Sequence, residues 1–435
     1  GLGMKENVYP ENGSVVIVDD RINEALPLMK VLSKIGISFK YFNGKLDELP
    51  DDPLNDVRIV FLDIELEGME GVTEDKTKLS ALANVISRII TSKCQPYVII
   101  AWTKYQELVD DLGKYLNDLS PLFTICIDKS DCIDKSECSE YKDEGIKFNI
   151  DKISEKLIEK INEFGSFNFF LEWQNISNRS SGEIINDISS IYPFDDNWNN
   201  NTNKLLVKLA EAYAGKQVDN ENVWKYAMLS FNSLFLDIIE SDIFTDNLGT
   251  DKNMDLPQQS DLDDINIIGE INRRLHISIE NNNKPVPGNI YSSIENMGVD
   301  KKNLIESIFD GDLNQFKEFK EKENLIREPE VIHLEVSPFC DYAQNKWKRS
   351  RILSGVKWPK KYESKLKKAD YIYKTPLLRI DGGLYYFVFD IRFLTSIEIE
   401  KLNNETSIMR IRKELLNDIQ TKIAGHINRL GITSL

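Results

Sequence analysis

The stretch that most constrains the fold is Val15–Asp20, in which four β-branched aliphatic residues run directly into two acids. A continuous run rich in Val and Ile is typical of a strand buried on both faces of a sheet. In an open parallel sheet, ligands bind outside the carboxyl ends of the strands, which is where Asp19 and Asp20 would lie. Adjacent carboxylates repel each other unless a cation screens them. The pair therefore predicts either a site for a hard cation or a solvated turn.

Residues 14–163 alternate apolar runs with amphipathic segments. This alternation predicts a parallel sheet with helices on both faces. The predicted strands are 14–18, 37–42, 57–62, 96–101 and 122–127, and the predicted helices are about 22–35, 77–93, 105–116 and 150–163.

Three more polar side chains stand at or just past the ends of predicted strands, namely Asp63, Thr103 and Lys129. Because the carboxyl ends of parallel strands meet at one edge of a sheet, these side chains should converge with Asp19 and Asp20. Three acids, a hydroxyl and an ammonium would thus converge on one crevice of the sheet.

With these residues in this order, residues 12–165 resemble the response-regulator receiver family. The resemblance implies a flavodoxin-like, doubly wound, five-stranded parallel sheet of order 2-1-3-4-5. It implies Asp63 as the phosphoacceptor, and Asp19, Asp20 and Asp63 as the ligands of magnesium (Mg²⁺). Thr103 and Lys129 would contact phosphoryl oxygens. A histidine kinase or another phosphodonor would be the upstream partner, and a protein the downstream one.

Several positions depart from the family pattern, and the proline that the family has after the phosphoacceptor is missing. Ser130 stands where a proline is usual, Ile127 where an aromatic residue is usual, and Lys104 where a small residue is usual. Two interpretations therefore remain open. The chain is either a signalling protein controlled by phosphorylation, or a scaffold or adaptor with a vestigial receiver domain.

The sequence predicts three domains: the receiver at 1–165, a mainly helical middle at 166–326, and an α+β module at 327–435. The strongest helical pattern of the middle domain is 221–244, where apolar residues recur three and four apart. In the last module, 331–336 alternates as a strand, Asp381–Gly383 is typical of a hairpin turn, and 406–429 predicts one long helix.

Charge is unevenly distributed along the chain. The net charge is −17, yet residues 327–435 carry 20 Lys and Arg against 13 Asp and Glu. Basic and aromatic residues mix between 346 and 368, a composition that suits nucleic acid, an acidic protein surface or a solvated connection. The candidate contacts to nucleic acid or to an acidic partner are Lys346, Lys348, Arg349, Arg351, Lys360 and Lys361.

Two further hypotheses concern the C-terminal module. Residues 337–341 and 429–432 resemble C-terminal modules of bacterial conflict-system proteins, which suggests a role in phage defence. Asp381 and Asp390–Arg392 leave a metal-dependent nuclease effector open, although no convincing catalytic site is found beyond phosphoryl acceptance. Five cysteines and the lack of a long apolar run favour a reduced, cytoplasmic protein without a membrane partner.

Overall fold

The computed structural model describes residues 15–66, 74–103, 105–128, 133–134, 147–148, 150–216, 218, 220–245, 263–315, 318–343 and 347–427. The chain forms two compact units, one of residues 1–193 with 233–254 and one of residues 194–232 with 255–435. The division into domains at 165 and 326 stays a prediction.

The first unit contains a five-stranded parallel sheet whose strand order is β2-β1-β3-β4-β5. Its strands are β1 (Val15–Val18), β2 (Phe39–Phe42), β3 (Ile59–Asp63), β4 (Val98–Trp102) and β5 (Thr124–Ile127). The predicted flavodoxin-like order is confirmed. The three inner strands are buried throughout, which explains why their sequences are continuous apolar runs rather than alternating ones.

Helices cover both faces of this sheet. They are α1 (Ile22–Lys34), α2 (Asp75–Ile89), α3 (Gln106–Leu116) and α4 (Ile150–Glu163). Apolar residues of α2 and α3 pack on one face of the sheet, and those of α1 and α4 pack on the other. A two-stranded ladder of β6 (Ile133–Asp134) and β7 (Lys147–Phe148) lies between β5 and α4 in the sequence.

A mainly helical segment follows, as predicted. It consists of α5 (Gly165–Ser189), α6 (Trp198–Ala214), α7 (Val223–Thr245) and α8 (Ile265–His276). The start of α5 belongs to the core of the parallel sheet, because Phe167 and Leu171 are buried in it. Arg58, just before β3, donates to Gln174 Oε1 of α5 at 3.0 Å.

The second unit contains an eight-stranded sheet with the path β12-β14-β11-β10-β9-β15-β8, and β13 pairs with β14. The strands are β8 (Ile277–Ser278), β9 (Asn289–Tyr291), β10 (Glu330–Glu335), β11 (Arg349–Pro359), β12 (Ile372–Lys374), β13 (Leu378–Ile380), β14 (Gly383–Glu398) and β15 (Met409–Ile411). All the pairs in this sheet are antiparallel.

Helices also cover both faces of the second sheet. The remaining helices are α9 (Lys301–Ile308), α10 (Phe319–Arg327), α11 (Phe339–Ala343) and α12 (Lys413–Ile427). Leu415, Leu416 and Ile419 of α12 pack on one face. Leu304 and Ile305 of α9 pack on the other face. No helix in the described ranges is long and apolar enough to cross a membrane.

The predicted hairpin is confirmed and the predicted terminal helix is shortened. Ile380 pairs with Gly383, and Asp381 and Gly382 form the turn with φ values of 49° and 80°. Positive φ at both central residues is typical of a tight hairpin turn. The helix predicted at 406–429 was wrong at its start, because Met409–Ile411 pairs with β9 and β8 as strand β15.

Candidate functional site

The strand register aligns the two predicted acids at the carboxyl edge of the parallel sheet. Val18 of β1 pairs with Leu62 of β3, so Asp19 and Asp63 are the next residues at the same level. Asp19 is 0% exposed and Asp63 is 6% exposed. Two carboxylates are therefore held side by side with little access to water.

A third carboxylate joins them from α1. Oxygen atoms of Asp19, Glu24 and Asp63 all lie within 4.8 Å of one another. Glu24 is in the first turn of α1 and forms an ion pair with Arg21 at 3.2 Å. The site is therefore a cluster of two buried acids and one exposed acid, which we call the acidic cluster.

Backbone groups fix the two buried acids. Asp19 Oδ1 accepts from the backbone N–H of Arg21 at 2.9 Å, and Asp63 Oδ1 accepts from the backbone N–H of Glu65 at 3.0 Å. The phenol of Tyr41 donates to the backbone carbonyl of Asp19 at 2.6 Å. These bonds hold the side chains in place in the turns that follow β1 and β3.

Thr103 occupies the equivalent place after β4. Its backbone N–H donates to the carbonyl of Ile127 at 3.1 Å, and its hydroxyl accepts from the backbone N–H of Tyr105 at 3.1 Å. A hydroxyl that accepts such a bond can still donate its own hydrogen. Thr103 is 8% exposed, so a bond it donates to a ligand would be largely screened from water.

The site is strongly negative. Burial raises the pKa of Tyr41, and the charges of Asp19, Asp20 and Glu48 raise it further. A phenol responds in this way because its ionised form would add another negative charge beside the acids. The same field favours a bound cation.

The acidic cluster has the ligand chemistry of a divalent cation. Mg²⁺ prefers carboxylate oxygens at about 2.1 Å, which places neighbouring ligand oxygens about 3 to 4 Å apart. Oxygens within 4.8 Å of one another reach that spacing through small side-chain rotations. Asp19, Glu24 and Asp63 therefore fit a hard divalent ion.

The structure brings some of the predicted site residues together and leaves others untested. Asp19 and Asp63 meet, whereas Asp20 is not one of the three acids of the cluster. Lys129 and Lys104 lie outside the described residues. The sequence did not predict Glu24 as a site residue, because an acid in the first turn of a helix is expected from its favourable interaction with the helix dipole.

A cavity of about 530 Å³ is lined by residues that follow β3 and β4 and by the start of α2. Its lining includes Glu65, two residues after Asp63, and Tyr105, two residues after Thr103. Lys78 of α2 also lines it. There is thus room for a small donor molecule beside the turns that carry Asp63 and Thr103.

The predicted basic contacts do not form one patch. Arg349 and Arg351 lie near the start of β11, whereas Lys360 and Lys361 follow its end. Lys360 follows Arg349 by eleven residues, which along an extended strand is roughly 35 Å. Lys346 lies outside the described residues, and Lys348 is exposed.

Several of these basic residues already have acidic neighbours. Arg349 lies 3.8 Å from Glu398, and Lys360 lies 3.2 Å from Glu363. Lys361 pairs with Glu328. Of the interleaved aromatics, Trp358 is fully buried in the core. The ion pairs and the buried tryptophan are also what a structural role requires, so nucleic-acid binding stays a prediction.

Asp390, which the nuclease hypothesis requires, is engaged in an internal ion pair. Both of its carboxylate oxygens accept from the guanidinium of Arg392, at 2.9 and 2.7 Å, and it is 0% exposed. Arg392 in turn stacks over the ring of Tyr371 at 3.7 Å. This geometry stabilises the sheet without presenting a carboxylate to a metal ion.

No protein-family model and no curated protein matches this chain. Several solved structures are similar to part of it, two of them as follows. An adenylate cyclase from Rhodopirellula baltica is 15% identical over 37% of this chain and 98% of that one, with a TM-score of 0.20. A response regulator from Burkholderia pseudomallei with a phosphorylated aspartic acid, calcium ion and citrate is 14% identical over 41% of this chain and 89% of that one, also with a TM-score of 0.20.

Structural similarity with a TM-score of 0.20 supports no argument about this protein. The receiver-like fold of the first unit rests on its own strand order and parallel pairing. The resemblance of the C-terminal segments to conflict-system proteins stays a prediction.

Proposed function

We propose that the first unit is a receiver that accepts a phosphoryl group on Asp63. The observation that supports this most directly is the meeting of Asp19, Glu24 and Asp63 at the carboxyl edge of a sheet of order 2-1-3-4-5. Asp19, Glu24 and Asp63 would hold Mg²⁺, with Asp20 as the further ligand implied by the family resemblance. A histidine kinase or a small acyl phosphate would be the donor.

The reaction is a displacement at phosphorus. An oxygen of the Asp63 carboxylate forms a bond to the phosphorus atom, and the bond from phosphorus to the donor atom breaks. That atom is a carboxylate oxygen in an acyl phosphate and an imidazole nitrogen in a phosphorylated histidine kinase, and it leaves with the electron pair of the broken bond. The hydroxyl of Thr103 donates to a phosphoryl oxygen, and Lys129 is proposed to pair with another. A bound Mg²⁺ supplies charge neutralisation on the phosphoryl oxygens.

The product carries about −1.5 to −2 charges in place of one at pH 7. Such a change biases a two-state surface when a neighbouring element responds to it. We propose α5 as that element, since it packs on the sheet through Phe167 and Leu171 and is bonded to Arg58 through Gln174. A downstream binding function of the C-terminal module would then be its output.

The first experiment is labelling of the full chain with acetyl phosphate and Mg²⁺, followed by intact mass measurement. We expect one phosphoryl group on the wild type, released by hydroxylamine as an acyl phosphate should be, and none on Asp63→Asn. The matched control is Asp110→Asn, a change at an exposed acid of α3, which should label like the wild type.

A wild type that stays unmodified when a known receiver is labelled in the same tube would sink the proposal. If the wild type also showed no Mg²⁺ affinity, a scaffold or adaptor with a vestigial receiver would be the better description.

A further inference from the structure

A buried acid in the second sheet has no part in the proposed phosphoryl chemistry. Glu335 is the last residue of β10 and is 0% exposed. It belongs to the second compact unit, whereas Asp63 belongs to the first. A fully buried glutamate is rare unless its carboxylate is paired or hydrogen-bonded.

Only one of its carboxylate oxygens has a bond within the described part of the chain. Oε1 accepts from the backbone N–H of Ser337 at 2.6 Å, and Oε2 accepts no hydrogen bond from the described residues. The hydroxyl of Ser350 is likewise without a partner among them, and Ser350 is 0% exposed. Glu335 Oε2 and the Ser350 hydroxyl are thus two buried polar groups, each available to bond the other.

The sheet register places these two groups on one face. Glu335 of β10 pairs with Ile352 of β11, and Ser350 lies two residues from Ile352 on the same face. Diagonal neighbours of this kind are within reach of a long side chain. The carboxyl of Glu335 can therefore exchange a hydrogen bond with the hydroxyl of Ser350.

The charged and titratable groups around Glu335 do little to favour its ionised form. Arg351 on β11 attracts it but is exposed. His333, two residues earlier on β10, is bonded to Ser354 Oγ at 2.9 Å, and burial lowers the pKa of its imidazole. Tyr291 on β9 is buried, and burial is the main cause of its raised pKa, with the charges of Glu335 and Glu405 adding to it.

Helix α12 contacts the two residues that follow Glu335. Gln420 of α12 donates to the backbone carbonyls of Val336 and Ser337, at 3.1 and 3.2 Å. Burial therefore raises the pKa of Glu335 to about 7, although the hydroxyls of Ser337 and Ser350 oppose this rise.

We propose that Glu335 is a proton-binding switch that controls the turn joining β10 to α11. In the protonated form, its acid O–H donates to the hydroxyl oxygen of Ser350, and the turn is closed. The proton comes from solvent and returns to it. Ionisation leaves a poorly solvated charge in the buried site, and hydration of that charge opens the turn at Ser337 although the bond from the Ser337 N–H to a carboxylate is the stronger one.

The turn is built so that this acid can control it. The Ser337 hydroxyl accepts from the backbone N–H of Arg351 at 2.9 Å, and the N–H of Val336 donates to the carbonyl of Arg351 at 2.8 Å. The carbonyl of Glu335 accepts from Gly288 at 2.8 Å. A charge on Glu335 therefore acts at a point where three strands and the start of α11 are connected.

The sign of the pH effect follows from the raised pKa. Because the folded carboxyl binds its proton more tightly than the unfolded one, its stabilising contribution is complete below the ordinary pKa of 4.5. That contribution is lost as the pH rises to about 7 and above. The unit that contains Glu335 should be more stable at pH 5 than at pH 8, on account of this group alone.

The test is infrared spectroscopy of the full chain as a function of pH. We expect a carboxylic-acid carbonyl band at pH 6 that fades with a midpoint near pH 7 and is missing from Glu335→Gln. In Ser350→Ala the midpoint should move upward, since a hydroxyl bond to a carboxylate is stronger than one to a neutral acid. Amide exchange at Ser337, measured at pH 8, should be slower in Glu335→Gln than in the wild type.

Three results would overturn the proposal. They are a wild type with no acid band at pH 6, a band that persists in Glu335→Gln, and a midpoint that does not move in Ser350→Ala. The wild-type titration and Ser350→Ala keep the test decisive if Glu335→Gln fails to fold. Titration of His333 does not interfere, because imidazole has no carbonyl band.

Discussion

At the scale of single residues, the acidic cluster shows why position along a strand matters more than adjacency in the sequence. Asp19 and Asp20 are neighbours, yet it is Glu24 that meets Asp19 and Asp63. Successive side chains leave a strand end in different directions, whereas the first turn of α1 brings Glu24 back over the sheet edge. The acidic cluster is therefore assembled by the ends of two strands, β1 and β3, and by the helix that follows β1.

Glu24→Gln should weaken Mg²⁺ binding. Removing one of three carboxylates lowers the charge of the site, and we expect an affinity loss of about tenfold, which corresponds to about 1.4 kcal/mol. Isothermal titration calorimetry of the full chain measures it. The control is Glu155→Gln, at an exposed acid of α4 outside the cluster. Equal affinities for Glu24→Gln and the wild type would remove Glu24 from the site.

At the scale of elements, the long antiparallel pairing of β11 with β14 depends on one glycine, Gly355. The pairing register shifts between Leu353 and Gly355, and a Cβ added at Gly355 would lie 2.5 Å from the carbonyl oxygen of Val388. It would also lie 2.4 Å from a ring carbon of Phe389. The two strands can approach this closely only because residue 355 has no side chain.

Gly355→Ala should therefore lower the free energy of unfolding by about 1–3 kcal/mol, the usual cost of forcing extra atoms into a packed core. Urea unfolding followed by tryptophan fluorescence measures it. Gly425→Ala is the matched control, because a Cβ there meets nothing within 4 Å and the residue is in helix α12. We expect the control to be neutral or slightly stabilising.

Elements also differ in how well the sequence predicts them. The strands β1, β3 and β4 were predicted within two residues, since a long buried strand must be a continuous apolar run. Strands β8, β9 and β15 have two or three residues each. Segments this short carry no periodicity, and partners far along the chain decide whether they form strands.

At the scale of the whole molecule, the two sites that we propose to exert control lie in different compact units. The acidic cluster belongs to the unit of residues 1–193 with 233–254, and Glu335 belongs to the unit of residues 194–232 with 255–435. Two units of this size should unfold in separable steps. A ligand of one unit and a proton of the other should then act on different steps.

Calorimetry of the full chain should show this separation. Mg²⁺ at about 100 times its dissociation constant should raise the temperature of one unfolding transition, because it stabilises that unit by about 2.7 kcal/mol. A change from pH 6 to pH 8 should lower the temperature of the other transition. Asp63→Asn should weaken the response to Mg²⁺ and leave the response to pH unchanged. Glu335→Gln should weaken the response to pH and leave the response to Mg²⁺ unchanged. A single transition that responds to both would contradict this picture.

The sequence by itself determined the parallel sheet and the meeting of Asp19 with Asp63, whereas the strand order of the sheet was implied by the resemblance to the receiver family. The sequence could do so because buried parallel strands have continuous apolar sequences, and because their carboxyl ends lie at one edge of the sheet. Only the tertiary structure decided that Glu24 completes the acidic cluster and that Glu335 lies on the same face of the second sheet as Ser350. These relations depend on helix placement and on strand register between distant segments, which local patterns of charge and hydrophobicity do not encode.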